Sequence, residues 1–246
     1  MISHIIYSHF MSNAADVSSR SRRVSAKPYK GPAMEGMVAT WYARITRDDS
    51  VFAAQAAMIA SEVPAGARIL EIAPGPGYLA VELARRGFEV TAIDISRTFV
   101  DLVIANAQAA GVAVEARVGN ASELPCPDAR FDFVICRAAF KNFSDPEGAL
   151  DEIYRVLAPG GRASIIDLRK EATTDEIRVE VAAMKMSWLN KLWTRWTFRS
   201  FLLKNAYTRE AIESLVAASK FGRCEIRRDG MSFDLRLARP AVSPSA

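Results

Sequence analysis

The chain of 246 residues has few of the side chains that most often carry acid–base, metal or redox chemistry. Its two histidines, His4 and His9, both lie close to the amino terminus. Its three cysteines are an odd number without C-x-x-C spacing, which argues against a disulfide framework and against a zinc site. We therefore expect a reduced, cytoplasmic protein whose folded part works without histidine and without a metal.

Long apolar runs and a strong net charge are also missing. No run approaches the roughly 18 apolar residues of a membrane-spanning helix. The net charge of +4 is too small to predict nucleic-acid binding by itself. Apolar residues make up 50% of the chain, which suffices for one well-buried α/β domain with an added subdomain.

Two stretches lack acidic residues. Residues 18–30 hold five bases among serines, so residues 1–30 are predicted to form a disordered basic tail. An Arg- and Ser-rich leader is also typical of an organelle-targeting peptide, and both interpretations stay open. Residues 181–209 hold six bases and three of the four tryptophans. Trp188, Trp193 and Trp196 share one face of a helical wheel, which is wide enough to be buried.

Strand and helix patterns alternate through the middle of the chain. They predict strands at 68–72, 89–93, 114–118, 131–136 and 162–168, and helices at 78–86, 96–110 and 146–157. This alternation indicates a doubly wound, mostly parallel sheet with helices on both faces. Helical spacing over residues 34–60 adds an N-terminal helical cover.

The end of the chain departs from this alternation. Two strand-like runs, 223–227 and 232–237, are joined by Arg228-Asp229-Gly230, which predicts an antiparallel hairpin. The expected fold is therefore an α/β sheet of seven strands closed by this hairpin. We place the domain at 31–240, with a helical lid inserted at about 170–207 and a short tail at 241–246.

The first predicted strand leads into a glycine-rich turn that carries an acid. Residues 68–80 read R-I-L-E-I-A-P-G-P-G-Y-L-A. Gly75 and Gly77 allow the backbone to approach a ligand, and the following helix offers unpaired N–H groups. A carboxylate at Glu71 does not favour a pyrophosphate, but it suits a ligand with ammonium and sulfonium groups.

A dinucleotide such as NAD is the competing ligand. Residues 75–80 fit G-x-G-x-x-G/A, and Asp94 follows at the distance expected for an acid that binds a ribose. Three features favour the cationic ligand instead. They are the acid at Glu71, the amide and backbone N–H at Asn120 and Ala121 that suit an adenine edge, and the antiparallel end of the sheet.

A family resemblance rests on four segments in order: I-L-E-I-A-P-G-P-G, V-T-A-I-D-I-S, V-G-N-A-S-E-L-P-C-P-D-A-R-F-D-F-V-I-C-R and L-A-P-G-G-R. Over about 67–168 the chain resembles a class I S-adenosylmethionine-dependent methyltransferase, similar to the ubiquinone/menaquinone C-methyltransferase group and its small-molecule relatives. The resemblance implies S-adenosylmethionine as cofactor and methylation of a small, apolar or aromatic molecule at carbon or oxygen. An NAD-binding oxidoreductase and a non-catalytic S-adenosylmethionine-binding module are the alternatives.

The family's motifs also imply a set of cofactor contacts. On the methionine and ribose side they imply Glu71, Ala73, Gly75 and Gly77. They imply Asp94 at the ribose hydroxyls and Arg137 near the methyl group. On the adenine side they imply Ile95, Asn120 and Ala121. Two positions depart from the common pattern, since Ala73 replaces a glycine and Asn120 an aspartate. Plainer roles stay open: a helix-terminal charge for Asp94, a turn residue at Asn120 and a solvated charge at Arg137.

The catalytic residues are not identified by the sequence. Lys141-Asn142-Phe143 replaces a His-His-Phe-like stretch of the family, so its reaction does not transfer directly. Methyl transfer is an in-line displacement in which a general base is needed only for a protonated acceptor. With histidine excluded, the candidate bases are Tyr29, Tyr42, Asp167 and Lys141. Trp41 and Tyr42 are candidate cation–π partners of the sulfonium, with core packing favoured for Trp41.

The aromatic and basic segment is expected to form a lid over the acceptor, its tryptophans facing an apolar or aromatic molecule. Peripheral contact with a membrane surface is the alternative, because bases flank an apolar face. Nucleic acid is a disfavoured partner, because no D-P-P-Y-like stretch follows the fourth strand and the chain is barely basic. The oligomeric state stays open.

Overall fold

The computed structural model describes residues 29–30, 34–183 and 203–241. The helices are α1 (Gly36–Thr46), α2 (Asp49–Glu62), α3 (Tyr78–Arg85), α4 (Arg97–Ala109), α5 (Pro146–Val156), α6 (Thr174–Ala183) and α7 (Arg209–Ala218), with 3-10 turns at Phe140–Asn142 and Leu203–Asn205. The strands are β1 (Arg68–Ile72), β2 (Glu89–Asp94), β3 (Glu115–Val118), β4 (Phe131–Arg137), β5 (Leu157–Leu168), β6 (Glu225–Asp229) and β7 (Ser232–Ala238).

The seven strands form one sheet in the order β3-β2-β1-β4-β5-β7-β6. Strands β1 to β5 pair in parallel, and β7 pairs antiparallel with both β5 and β6. The predicted fold class is confirmed, including the closing hairpin. Because the chain starts at β1 and moves outward in one direction before returning to β4, the sheet reverses its order between β1 and β4. A ligand cleft is expected at such a reversal, beyond the carboxyl ends of the strands.

Helices cover both faces of the sheet, as the alternation predicts. On one face α2 and α3 bury Ala56, Ile59 and Leu83 against β1 and β4. On the other face, α5 and α7 bury Leu150 and Val216 in a second, larger core. The strands between the two layers are therefore apolar on both sides, which is typical of a parallel sheet.

The predicted N-terminal cover is two helices rather than one continuous pattern. Arg47 follows the end of the first, and Asp48 caps the second by accepting hydrogen bonds from the N–H groups of Ser50 and Val51. The start of α1 is fixed to the start of α4, where the Glu35 carboxylate accepts from the Arg97 N–H at 3.0 Å and the Thr98 N–H at 3.1 Å. These contacts hold α1 beside the end of β2.

One prediction on this cover is wrong. Core packing is favoured for Trp41 by its size, yet the residue is 61% exposed on α1. The helix buries its small residues, Ala39 and Ala43, because it lies close to its neighbours on that side. Its large apolar side chains consequently face outward.

Two predicted segments fall largely outside the described residues. The basic tail at 1–30 is described only at residues 29–30, and the lid at 170–207 only at 170–183 and 203–207. The tryptophan face of Trp188, Trp193 and Trp196 stays a prediction. Within the described ranges no helix combines the length and apolarity needed to cross a membrane.

Candidate functional site

The loops that follow β1, β2 and β3 are joined to one another at the carboxyl edge of the sheet. The Ala73 N–H donates to the Ile93 carbonyl at 2.8 Å, and the Gly119 N–H donates to the Asp94 carbonyl at 2.9 Å. These bonds gather the ends of three neighbouring strands. The predicted ligand residues on these strands therefore lie along one edge.

The glycine-rich turn needs its left-handed backbone. Gly77 has φ of 77° at the start of α3, and a Cβ there would lie 2.7 Å from Val103 Cγ2. Gly75 has φ of 56° with open space around it. Ala73 has φ of 54°, where the family's glycine would cost no strain. The turn thus keeps its shape, with Ala73 in a conformation that costs an L-residue about 1–2 kcal/mol.

Asp94 fixes the turn through its side chain. Its Oδ2 accepts the Gly75 N–H at 3.2 Å and its Oδ1 accepts the Ser96 N–H at 2.9 Å. Burial raises the pKa of this carboxyl to about 6, against the lowering effect of these two N–H groups. Asp94 is therefore a buried acid that faces the turn, and its contact with Ser96 is also the helix-terminal role left open by the sequence.

Glu71 and Arg137 form the most unusual part of the site. Glu71 pairs with Ile135 in the β1–β4 register, so Arg137, two residues further on, lies on the same face of the sheet. Burial raises the pKa of Glu71 to about 8, and the positive charge of Arg137 opposes that rise. Burial likewise lowers the pKa of Arg137, whose guanidinium lies 5.8 Å from the centre of the Phe52 ring.

Each of these two side chains has a buried atom without a partner. Among the described residues, neither Glu71 Oε2 nor Arg137 Nε takes part in a hydrogen bond. A buried polar atom left unpaired costs about 1–3 kcal/mol. The solvated-charge interpretation therefore does not hold for the Nε atom of Arg137, and both atoms have a hydrogen bond left to make.

The predicted adenine side lies beyond β2 and β3. Asn120 forms a tight turn, with its Oδ1 accepting the Ser122 N–H at 3.2 Å and its carbonyl accepting the Glu123 N–H at 3.0 Å. The turn role of Asn120 is thus real, and a role at adenine stays a prediction. Ala121 is buried in the core, and Ile95 is exposed at the end of β2.

Lys141 and Asp167, two of the candidate bases, are bonded to each other. Lys141 Nζ lies 2.8 Å from Asp167 Oδ1, and the two side chains are 4% and 0% exposed. Nζ also donates to the Ala138 carbonyl at 2.7 Å, and the Lys141 N–H donates to Asp167 Oδ2 at 2.9 Å. This ion pair fastens the loop after β4 to the end of β5, so these two candidate bases are engaged with each other.

Tyr29 lies across the same loop. The Asn142 Nδ2 donates to the Tyr29 hydroxyl at 3.0 Å, and the Lys30 N–H donates to the Asn142 carbonyl at 2.8 Å. Asn205 Nδ2 in turn lies 3.3 Å from Asn142 Oδ1. Burial, Tyr42, Asp94 and Asp167 all raise the pKa of Tyr29. Its hydroxyl is therefore within electrostatic reach of the acid at the end of β2.

Tyr42 approaches the cleft from α1. Burial raises the pKa of its hydroxyl, Arg137 lowers it, and Asp94 raises it. Tyr42 thus lies near both Arg137 and Asp94, whereas its neighbour Trp41 does not share its burial. Of the two aromatic residues predicted as cation–π candidates, Tyr42 is the one placed at the cleft.

Sequence reasoning missed three residues that the structure brings to the site. Asn142 and Asn205 link the loop after β4 to the segment before α7, and Phe52 lies against the Arg137 guanidinium. The replacement of a family His-His-Phe stretch by Lys141-Asn142-Phe143 draws attention to Asn142. No local pattern indicates Asn205 or Phe52, because their partners are distant in sequence.

Comparison with known proteins adds a family match and curated relatives. A family model described as a methyltransferase domain matches residues 70–165. A demethylmenaquinone methyltransferase of Thermus thermophilus is 42% identical over 102 residues, which are 41% of this chain and 46% of that protein. A ubiquinone biosynthesis O-methyltransferase of Xanthomonas axonopodis pv. citri is 33% identical over 108 residues, 44% of this chain and 45% of that protein. The chain thus spans somewhat less than half the length of these curated relatives.

Solved structures extend the likeness over more of the chain. A candidate S-adenosylmethionine-dependent methyltransferase of Methanococcus maripaludis superposes with a TM-score of 0.69 at 20% identity, covering 87% of this chain and 97% of that one. An S-adenosylmethionine-dependent methyltransferase of Aquifex aeolicus superposes with a TM-score of 0.56 at 18% identity, covering 79% and 100%. At these identities the likeness concerns the fold.

Proposed function

We propose that this chain, whose residues 70–165 belong to the class I S-adenosylmethionine-dependent methyltransferases, transfers a methyl group from S-adenosylmethionine to a small, apolar or aromatic molecule. The observation that carries the proposal is the buried Glu71 beside the half-buried Arg137, each with one buried polar atom that has no partner among the described residues. A carboxylate and a guanidinium left in this state suit a ligand that brings both a cationic and an anionic group.

The amino-acid part of S-adenosylmethionine has these two groups. Its ammonium fits the free oxygen of Glu71, and its carboxylate fits the free N–H of Arg137. Asp94 has capacity left for ribose hydroxyls, because a carboxylate has about four acceptor sites and two backbone N–H groups occupy only part of them. When bound, the cofactor supplies an electrophilic methyl group on a positively charged sulfur.

The same arrangement disfavours NAD. A pyrophosphate at the glycine-rich turn would repel the carboxylate of Asp94, whose pKa of about 6 leaves it largely ionised at neutral pH, and it would keep the nearby Glu71 protonated. A cationic ligand at the same place is attracted to Asp94 and favours the ionised form of Glu71. The charge of the turn therefore separates the two cofactors where the glycine spacing does not.

The candidate bases indicate what the acceptor must supply. Lys141 and Asp167 are paired with each other, and Tyr29 and Tyr42 have raised pKa values, so their hydroxyls hold their protons at neutral pH. The acceptor therefore brings its own electron-rich carbon or oxygen. The residues of the cleft act by alignment and by exclusion of water, which can supply much of the acceleration of a displacement.

Calorimetry on the full chain tests the cofactor assignment. We expect S-adenosylmethionine and S-adenosylhomocysteine to bind and NAD to leave no heat of binding. The variant Arg137→Met should weaken both adenosyl ligands, because the amino-acid carboxylate loses its partner. Binding of NAD without binding of S-adenosylmethionine would refute the proposal.

A transfer assay then tests catalysis. Extract fractions are incubated with the full chain and S-adenosylmethionine labelled in the methyl group, and we expect label in a small apolar or aromatic product. Absence of label from every fraction, with cofactor binding intact, would favour the non-catalytic binding module. Trp193→Ala should change the affinity for the labelled acceptor more than the affinity for the cofactor, if residues 170–207 form a lid.

A further inference from the structure

A pocket opens at the start of α7, beside Asn205 and Tyr207. Its volume is about 330 Å³, within the range of small-ligand pockets. Three ammonium side chains contribute to its wall, namely Lys30, Lys170 and Lys204. None of the described residues that line it is acidic. We call it the lysine pocket.

The rest of its wall also suits an anion. Asn205 and Thr208 add an amide and a hydroxyl, and Tyr207 adds a ring. The carboxylate of Glu171, next to Lys170 in sequence, accepts the Arg209 N–H at 3.2 Å, and Glu171 is not part of the wall. Three cations against the nearby carboxylate of Glu171 leave a net positive concavity, which concentrates anions.

Two of the three lysines belong to stretches of sequence without acids. No Asp or Glu occurs from residue 181 to residue 209, although this stretch contains six bases. Residues 17–34 also contain no acid. The sequences at Lys30 and Lys204 therefore carry only positive charges, whereas Lys170 is followed by Glu171.

The lysine pocket is connected to the cleft by short polar contacts. Asn205 of its wall lies 3.3 Å from the Asn142 amide, which donates to the Tyr29 hydroxyl at 3.0 Å. The carboxyls of Asp94 and Asp167 both raise the pKa of that tyrosine. Tyr207 of the wall packs on Phe140 with 5.7 Å between ring centres. The pocket thus borders the hydrogen-bonded group formed by Asn205, Asn142 and Tyr29.

We propose that the lysine pocket binds a carboxylate or phosphate group of the methyl acceptor, so that the acceptor is an anion with an aromatic or apolar body. The inference rests on the proposed function, because it assigns the pocket to the acceptor of that reaction. The anionic group lies at Lys30, Lys170 and Lys204, and the body extends past Asn205 and Asn142 toward the donor site. The lysines select the acceptor, and Tyr29, Asn142 and Asn205 orient it.

Binding of three small probes to the full chain tests this assignment. The probes are benzoate, phenyl phosphate and the neutral isostere benzamide, titrated at low ionic strength with S-adenosylhomocysteine saturating. We expect at least one anion to bind about tenfold more tightly than benzamide, since charge-assisted hydrogen bonds are the stronger ones. A preference for phenyl phosphate over benzoate, or the reverse, identifies the group.

A charge-matched pair of variants locates the site. Lys170→Gln with Lys204→Gln should abolish the preference for the anion, and Lys30→Gln should weaken it. Lys220→Gln with Arg223→Gln removes the same charge at exposed positions away from the pocket and should keep the preference. Raising the salt concentration should weaken anion binding to the native chain.

The outcomes separate this inference from the proposed function. If S-adenosylhomocysteine binds but the anions bind no better than benzamide, or if Lys170→Gln with Lys204→Gln keeps the preference, the lysine pocket assignment is overturned. If S-adenosylhomocysteine itself does not bind, the proposed function is overturned instead. Affinity for S-adenosylhomocysteine in each variant also reports that the variant is folded.

Discussion

The two sides of the cleft are held by contacts of very different sequence separation. On the cofactor side, Gly75 and Asp94 are bonded across 19 residues, within one β-turn-α-β step. On the acceptor side, Tyr29 and Asn142 are bonded across 113 residues, and Asn142 and Asn205 across 63. One side is therefore shaped by local turns and the other by the packing of distant segments. We define the cofactor side by Glu71, the turn at 73–77 and Asp94, and the acceptor side by Tyr29, Asn142, Asn205 and the Lys141–Asp167 pair.

The difference has a physical consequence for each side. A turn fixed by backbone bonds and glycine conformations keeps its shape when single side chains change. A site assembled from distant side chains depends on each of them, since every contact offsets the ordering of two separate segments. We therefore expect the acceptor side to lose stability when a single pair is broken, and the cofactor side to lose affinity instead.

The largest expected effect is on the acceptor side. Lys141→Met leaves the Asp167 carboxylate buried without its cation, so the free energy of unfolding should fall by about 3–5 kcal/mol in urea denaturation. Arg47→Met breaks an exposed ion pair with Asp49, whose side chains are 60% and 67% exposed, and should change stability little. Adding Asp167→Asn to Lys141→Met should recover part of the loss. Equal losses for Lys141→Met and Arg47→Met would show that the buried pair does not hold the loop.

The next effect is on the cofactor side and concerns affinity. Asp94→Asn removes a charge-assisted acceptor, so the Kd for S-adenosylhomocysteine should rise by about 10- to 100-fold in calorimetry. Asp132→Asn removes the same charge at the opposite end of the sheet, where Asp132 pairs with Arg68, and should leave the Kd unchanged. An unchanged Kd in Asp94→Asn would assign the ribose to another acid.

This contrast explains what the sequence could predict. The positions of the strands, the hairpin and the turn with Gly75, Gly77 and Asp94 follow from periodicity and from motif spacing, because those features are local. Lys141 and Asp167 are recognisable as candidate residues but not as partners, since nothing in either neighbourhood encodes the other. The same holds for Tyr29 and Asn205, which come together only through the folded chain.

Burial is the other quantity that the sequence predicts poorly. Trp41 is large and apolar yet exposed, whereas Lys141 is charged yet 4% exposed. In both cases the decisive factor is the distance between packed elements, which side-chain type alone does not determine. The raised pKa of Glu71 is equally hard to predict from the sequence, because it depends on how deeply β1 is buried.

The third prediction concerns this raised pKa. Glu71 has a pKa of about 8 in the fold against an ordinary value of 4.5, so its protonated form is favoured by folding. Its contribution to stability is therefore full below pH 4.5 and is lost as the pH rises to about 8. The side chain in Glu71→Gln does not ionise. At pH 8.5 the free energy of unfolding of this variant, measured in urea, should exceed that of the native chain by more than about 1 kcal/mol, the value of one pKa unit.

A neighbouring acid gives this prediction an internal control. Asp94 has a pKa of about 6 against an ordinary 3.8, so it also lowers stability as the pH rises, but over a lower range. In Glu71→Gln the fall of stability between pH 6 and pH 8 should disappear, and below pH 6 only the part that belongs to Asp94 should remain. Loss of both phases, or of neither, would mean that Glu71 does not titrate as its burial indicates.

The smallest effect is expected where the two sides share a feature. Ala73 on the cofactor side and Ala138, which opens the acceptor-side loop, both have a left-handed backbone, with φ of 54° and 55°. Glycine would relieve about 1–2 kcal/mol of strain at either position, while the greater freedom of the unfolded chain costs about 0.4–1 kcal/mol. Each substitution to glycine should therefore raise the free energy of unfolding by about 0.5 kcal/mol.

Ala129 makes this a controlled test, because it has φ of 53° and belongs to neither side of the cleft. Ala129→Gly should stabilise the chain by the same amount in urea denaturation. If Ala73→Gly gives this gain and leaves the Kd for S-adenosylhomocysteine unchanged, the alanine is a tolerated departure from the family's glycine. If Ala73→Gly instead weakens cofactor binding, the strained backbone at Ala73 is what holds the turn in its binding shape, and the cofactor side depends on a single residue as closely as the acceptor side does.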